Sequence, residues 1–194
     1  METAREILSG YVSDMLLIER EIHAAVRRQR DSSSAREMPA AQGLLSRLEE
    51  QLDQHVAALK VALDRGGGGE PTLKSTLGAI LGAAAGLFDR IRLDAQLSRM
   101  LRDDYAALSF ASVCYEMLHT TALGVRDQWV ADLAIRHLGD YARCIMEIGD
   151  TMPQVLLAEL HAQGTATVDP GVALQAQRNV RAAWSSQSPE VSAH

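Results

Sequence analysis

An all-α fold, an antiparallel bundle of long helices, is predicted by three features of this 194-residue chain. Apolar residues recur at alternating spacings of three and four over long stretches, strand-like alternation is nearly absent, and proline is rare. The composition, 47% apolar but only 4% aromatic, suits aliphatic helix packing. The length is enough for one domain with a sizeable core.

The first helix is expected from about Ala4 to Arg30. Ala4, Leu8, Tyr11, Met15, Ile18, Ile22 and Ala25 form its seam. Glu19 is framed on that face by Val12, Met15, Leu16, Ile22 and Val26, and a carboxylate there needs a partner. The partner is either a metal ion, or an arginine or His23 four residues on. Asp31 to Pro39 reads as a loop. A second helix, roughly Ala41 to Arg65, has the seam Ala41, Leu45, Leu48, Leu52, His55, Leu59 and Ala62. His55 is its one non-aliphatic member and is predicted to face the core. Counted back from the loop, Glu19 and His55 stand within about one turn of each other. A core histidine there is either hydrogen-bonded or bound to metal.

Gly66 to Gly69 ends that helix, and Glu70-Pro71-Thr72 leads into a third apolar helix that crosses the bundle. Its Gly78, Gly82 and Gly86 repeat every four residues, a smooth stripe that lets backbones approach closely, on the bundle or on a second subunit. The apolar run Leu77 to Phe88 is 12 residues, well short of a membrane span.

Asp103 to Met152 organises the chain: a long helix, a tight turn at Gly124 to Asp127, and a second long helix antiparallel to it. The first carries Tyr105, Leu108, Ala111, Tyr115, Leu118, Ala122 and Val125 on its apolar face, flanked by Ser109, Ser112, Glu116 and His119. The second, with Asp127 as N-cap, turns Val130, Ala134, His137, Tyr141, Ile145 and Ile148 to the core. Glu116 and His119 are three apart, as are His137 and Asp140, so each pair shares a helix face. Asp140 is alternatively half of a solvated four-apart pair with Arg136, as Glu147 is with Arg143. Cys114 and Cys144 fall at different heights and are expected to be buried free thiols.

Pro153 is expected to start a short helix that Gly164 stops. Asp169 then caps another, whose Val172, Ala176, Val180 and Trp184 form a strap against the bundle. The division is therefore a bundle over 1–164, a C-terminal strap over 165–185 and a disordered tail over 186–194.

The net charge of −6 is spread along the chain, with basic residues interleaved among acidic ones, which disfavours nucleic acid and anionic membranes as partners. The N-terminus lacks the basic start and apolar core of a secretory signal, so a cytoplasmic location is expected. Nucleotide loops, nucleophile triads and Cys-rich zinc motifs are not seen.

The stretches LRDDYAALSFASVCYEMLHTTAL and VADLAIRHLGDYARCIMEIGDTMP resemble the paired C-terminal helices of small bacterial ferritin-like domain proteins. YVSDMLLIEREI and EEQLDQHVAALKVAL resemble the preceding helix pair, and the likeness covers most of residues 5 to 160. It implies a four-helix bundle related to rubrerythrins and to bacterial stress-associated proteins of unknown function, often dimeric. A working di-iron site in such a bundle takes one glutamate from each of two helices and a Glu-x-x-His pair from each of the other two. Glu19 matches the single glutamate of the first helix. Leu52 stands three before His55, where a bridging glutamate is expected; Glu116 and His119 form a pair where a lone glutamate is expected; His137 and Asp140 are reversed and shortened. Three carboxylates at most remain of four. The candidate metal residues are thus Glu19, His55, Glu116, His119, His137 and Asp140, for Fe, Mn or Zn. Two functions follow. One is a non-catalytic structural or interaction module with a lost or incomplete di-metal site. The other is a metal-dependent oxidase or iron-handling stress protein.

Overall fold

The computed structural model describes residues 3–67, 96–164, 169 and 171–185, and those residues contain helices and no strand. The helices are α1 (Ala4–Arg30), α2 (Ser33–Arg36), α3 (Pro39–Arg65), α4 (Leu97–Gly124), α5 (Gln128–Ala162) and α6 (Gly171–Ser185). None of them is long and apolar enough to cross a membrane. The third apolar helix expected over Leu77–Phe88, with its Gly78, Gly82, Gly86 stripe, lies outside the described residues, as does the tail 186–194.

The ends of α1 and α3 follow from local chemistry. A capping box starts α1: Glu6 N–H donates to Thr3 Oγ1 at 3.3 Å, and Thr3 N–H donates to Glu6 Oε2 at 2.7 Å. Pro39 opens α3, where its missing N–H costs nothing, and the preceding Met38 is extended as a residue before proline must be. The segment between, expected as a loop, holds the one-turn α2, capped by Ser32 accepting from Ala35 N–H at 3.2 Å.

Four long helices pack in a ring, α1 against α3 and α4, and α5 against the same two. The side-chain register shows every neighbour antiparallel. Along α1 and α3 the pairs are Glu19 with His55, His23 with Asp53, and Arg30 with Glu49. Along α3 and α5 they are His55 with Asp140, Gln51 with Cys144, and Arg47 with Glu147. Gly66, at the end of α3, lies by Ser9, whereas Ser98, at the start of α4, lies by Glu159. The chain between Gly67 and Gln96 therefore begins at one end of the bundle and finishes at the other, about 40 Å away for a 27-residue helix.

The core is aliphatic and follows the predicted seams through the middle of the bundle, while their ends depart: Ala4 is exposed, and Tyr11, Tyr105 and Val125 are only partly buried. Met15, Ile18, Leu48, Leu52, Leu108 and Tyr115 are all buried, and so is every member of the α3 seam including His55. Ile145 is a correction: it is only partly buried, because Cys144 takes the inward position and donates its thiol to Gln51 Oε1 at 2.9 Å. Both cysteines are free and buried.

Asp127 caps α5 as expected, accepting from Val130 N–H at 3.1 Å. The turn before it reverses direction at Arg126, with φ of 63°, rather than at Gly124. Arg126 N–H reaches Leu123 O and Asp127 N–H reaches Ala122 O, the paired bonds of a Schellman motif.

Three expectations near the C-terminus need correction. Proline 153 lies inside α5, which runs on to Ala162. Pro153 cannot donate to the Gly149 carbonyl, but helical continuation buries Val155 completely and brings Glu159 to α4. There Glu159 accepts from Ser98 N–H at 2.9 Å and Ser98 Oγ–H at 2.5 Å, serving an α4 N-terminus whose own N-cap residue, Gln96, makes no side-chain cap bond. Secondly, α6 packs on α5 through Ala173, Gln177 and Arg181, not through the expected apolar seam: Val172, Val180 and Trp184 are exposed. Arg181 pairs with Asp150, and Gln177 donates to the Asp150 carbonyl, so polar bonds set the rotation of this helix. Thirdly, Arg143 pairs with Asp140, and Glu147 pairs across the bundle with Arg47 at 3.0 Å.

Two substitutions test this packing. Leu52→Ala removes a completely buried side chain and is expected to cost about 2–5 kcal/mol in a denaturant titration; a value near zero would place Leu52 outside the core. Glu159→Ala is expected to cost about 1 kcal/mol, the usual worth of an N-cap, although it removes no core atom.

Candidate functional site

At mid-height the ring of helices encloses polar groups. Glu19 comes from α1, His55 from α3, Tyr115 from α4, and His137, Asp140 and Tyr141 from α5. Each lies on the seam of its helix or beside it, so the periodicity that buries the leucines buries these too. Glu19, Tyr115 and Tyr141 are completely buried, His55 and His137 nearly so, and Asp140 is at the edge.

A chain of hydrogen bonds runs through them. His55 Nδ1 lies 3.2 Å from Glu19 Oε1 and His55 Nε2 lies 3.1 Å from Asp140 Oδ2. Both ring nitrogens face carboxylate oxygens, which accept only, so both carry protons and His55 is an imidazolium. Tyr115 O–H donates to Glu19 Oε1. Having spent its one proton there, Tyr115 accepts from His137 Nδ1–H at 2.8 Å. His137 is therefore the neutral Nδ1–H tautomer. Its ring stacks on that of His55 with centroids 3.7 Å apart and planes 9° from parallel. Outside, Asp140 is held by Arg143, which ties the buried chain to the surface.

Electrostatics agrees with this assignment. Burial pushes His55 down, but the hydrogen bonds and charges of Glu19 and Asp140 together outweigh it, and the net shift is upward. His137 is pushed down to about 3 by burial, then by the His55 and Arg136 charges. Both phenols are raised well above their ordinary range, by burial first and by the Glu19 carboxylate next.

Two polar atoms in this region are poorly partnered. Among the described residues, Glu19 Oε2 and the Tyr141 hydroxyl are buried with no partner in good hydrogen-bond geometry, and the Tyr141 hydroxyl reaches the Glu19 carboxylate through a weak hydrogen bond at most. Glu19, His55 and His137 each offer a ligand atom, and the three atoms lie within 4.8 Å of one another.

The six residues singled out in the sequence therefore divide. Glu19, His55, His137 and Asp140 come together; Glu116 and His119 do not join them. Glu116 is exposed and lines a surface groove with Tyr11 and Met117. His119 Nδ1 donates to the Ala131 carbonyl at 2.9 Å, securing α4 to α5. His23, one suggested partner for Glu19, lies instead 3.1 Å from Asp53. Tyr115 and Tyr141 were legible only as core aromatics. Their hydroxyls mattered, and the signal was the shared seam with Glu19 and His137, since a buried phenol needs a partner.

A second buried polar group sits one end away. Asp104 is raised to about 7 by burial, against the Gln29 hydrogen bond and with help from the Asp103 charge. A cleft of about 300 Å³ at the opposite end is lined by Arg5, Ser9, Arg65 and Asp127, among others. Neither touches the mid-height cluster. Comparison with protein-family models, curated proteins and solved structures finds no match to this chain.

The two histidines bias stability in opposite directions. Native His137, at about 3, refuses a proton that the unfolded chain takes up near 6.5, so its contribution is lost as pH falls through that window. His55, raised above 6.5, contributes stability below that value and loses it as pH rises through the raised one. Asp104 is also raised and loses stability as pH rises toward 7, which masks the His137 effect in the wild type alone. The difference between wild type and His137→Phe isolates it. On acidification from pH 7 to pH 4 the wild type should lose stability relative to the variant, by up to roughly 1.4 kcal/mol per pH unit. A difference that does not change with pH would mean His137 is not held neutral.

Proposed function

We propose that this chain is a ferritin-like helical bundle protein that has lost its di-metal centre and works as a non-catalytic structural or interaction module. The architecture supports the likeness: two antiparallel helix pairs are joined by one long connection that starts and ends at opposite ends of the bundle. The observation that carries the loss is Leu52. It is fully buried at the place expected for a bridging glutamate, three residues before the inward-facing His55.

The carboxylate count supports the same reading. Among the described residues only the Glu19 and Asp140 carboxylates reach the cluster, and Glu116 is exposed. Two cations held together need bridging carboxylates to offset their mutual repulsion, and a di-iron bundle site uses four. In place of a second ion stand Leu52, Tyr115 and an imidazolium that already offsets one of the two carboxylates. In this proposal the protein is a cytoplasmic dimer. The metal-dependent oxidase or iron-handling alternative draws on one observation, the convergence of Glu19, His55 and His137.

Iron analysis and an oxygen-consumption assay separate the two. Protein purified without chelator and given excess Fe²⁺ under air is expected to show no ferroxidase turnover and fewer than two iron atoms per chain. Two irons per chain, lost in Glu116→Ala, would reverse the proposal.

A further inference from the structure

The convergence of a buried carboxylate and two imidazoles, with Glu19 Oε2 lacking a well-formed hydrogen bond among the described residues, is the least explained feature of the mid-height cluster. A buried carboxylate oxygen without a well-formed hydrogen bond is costly in a dry interior, and a cation beside it removes that cost. The Glu19 carboxylate is aimed into the same space as His55 and His137, and Tyr141 lies beside it. We propose that Glu19, His55 and His137 form a site for a single divalent transition-metal ion, with Tyr141 and Asp140 at its margin.

The donor set fixes the class of ion. Two imidazole nitrogens and one carboxylate oxygen suit Zn²⁺, Fe²⁺, Mn²⁺ and Co²⁺, and are poor for Ca²⁺ and Mg²⁺, which prefer all-oxygen sets. Charge balance fits one ion rather than two. Glu19 and Asp140 bring two negative charges to the cluster, which one divalent ion matches and two would exceed. Tyr141 is placed to hydrogen-bond the ligating carboxylate, as outer-shell groups commonly do.

Binding requires local rearrangement. Ligand atoms on a tetrahedral ion stand about 3.3 Å apart for bonds of about 2.0–2.1 Å, against separations of up to 4.8 Å here. Imidazole nitrogens bind in the ring plane, so the near-parallel His55 and His137 rings must tilt out of their stack. His55 has a nitrogen toward Glu19 and the other toward Asp140, and turning its ring exchanges one of these contacts for the ion; the imidazolium gives up that nitrogen's proton to solvent as the metal binds, leaving a neutral ligand and the two carboxylate charges for the ion to balance. The exposed side of Asp140 leaves the cluster open to solvent at that edge, while Glu19 is closed in.

This site rests on the reading of a lost di-metal centre only in its count of one. Co²⁺ is the probe, because its visible absorption reports coordination geometry. Titration of metal-free full-length protein is expected to saturate at one Co²⁺ per chain with bands of a four- or five-coordinate ion, and Zn²⁺ is expected to displace it. In folded Glu19→Gln and His137→Phe the affinity should fall at least tenfold, and in Glu116→Gln and His119→Ala it should stay unchanged. X-ray absorption of the Co²⁺-loaded wild type, expected to show two imidazoles, keeps the test decisive if a core variant fails to fold. No binding to folded wild type, fewer than two imidazoles, or undiminished affinity in folded His137→Phe would overturn the site. Two ions per chain, one of them lost in Glu116→Gln, would overturn both the single-ion site and the reading of a lost di-metal centre; no ion at all would overturn the site alone.

Discussion

The carboxylate of Glu19, completely buried in the middle of α1, is the group the rest of the bundle must accommodate. An isolated carboxylate in such a place would cost several kcal/mol even after relaxation, and it survives as an ion only with a counter-charge and hydrogen bonds. His55 supplies the charge from α3 and Tyr115 a proton donor from α4, while His137 on α5 holds Tyr115 in place. One residue from each long helix is thus tied to a single point. A slip of α3 by one helical turn would break the Glu19 contact and leave a buried charge unpaired. The leucine seams alone tolerate such slips, since one leucine replaces another; the polar chain does not.

Around that point the fold is conventional in its energetics. Leucine, isoleucine, methionine and alanine seams provide the hydrophobic driving force, and the fully buried Leu45, Leu48, Leu52 and Leu59 line one face of α3, interrupted only by His55 in the turn before Leu59. The ends of the bundle are secured separately. Glu49 is held by Arg30 between α1 and α3, Arg65 sits over the Trp129 ring at 4.7 Å, and Glu159 serves the first turn of α4. These contacts explain why α5 passes through Pro153: the turns beyond it are needed at the far end.

The same polar chain frames the chemistry. It joins a solvent-edge Asp140 to a deeply placed neutral His137 through His55, Glu19 and Tyr115. Without an ion, most of its donors and acceptors are matched internally, the condition under which a buried network stabilises rather than strains a core. The exceptions, Glu19 Oε2 and the Tyr141 hydroxyl that only weakly reaches the Glu19 carboxylate, are confined to one spot.

The helices, their seams and the inward direction of Glu19, His55 and His137 were determined by the sequence itself, because a 3.6-residue period converts spacing directly into a face. Asp127 as a cap and two free thiols were legible for equally local reasons. Tertiary structure decided which faces meet. Glu116 has the spacing of a ligand pair with His119, yet the rotation of α4 that buries Tyr115 turns Glu116 to solvent, and one helix cannot present both inward. Asp140, readable as half of a surface ion pair, gains its role only because α5 runs antiparallel to α3 at a register that sets it beside His55. The continuation through Pro153 and the polar face of α6 are of the same kind. Local propensity favours a break at proline and an apolar seam on the strap, whereas contacts from distant helices, Glu159 to Ser98 and Arg181 to Asp150, outweigh both.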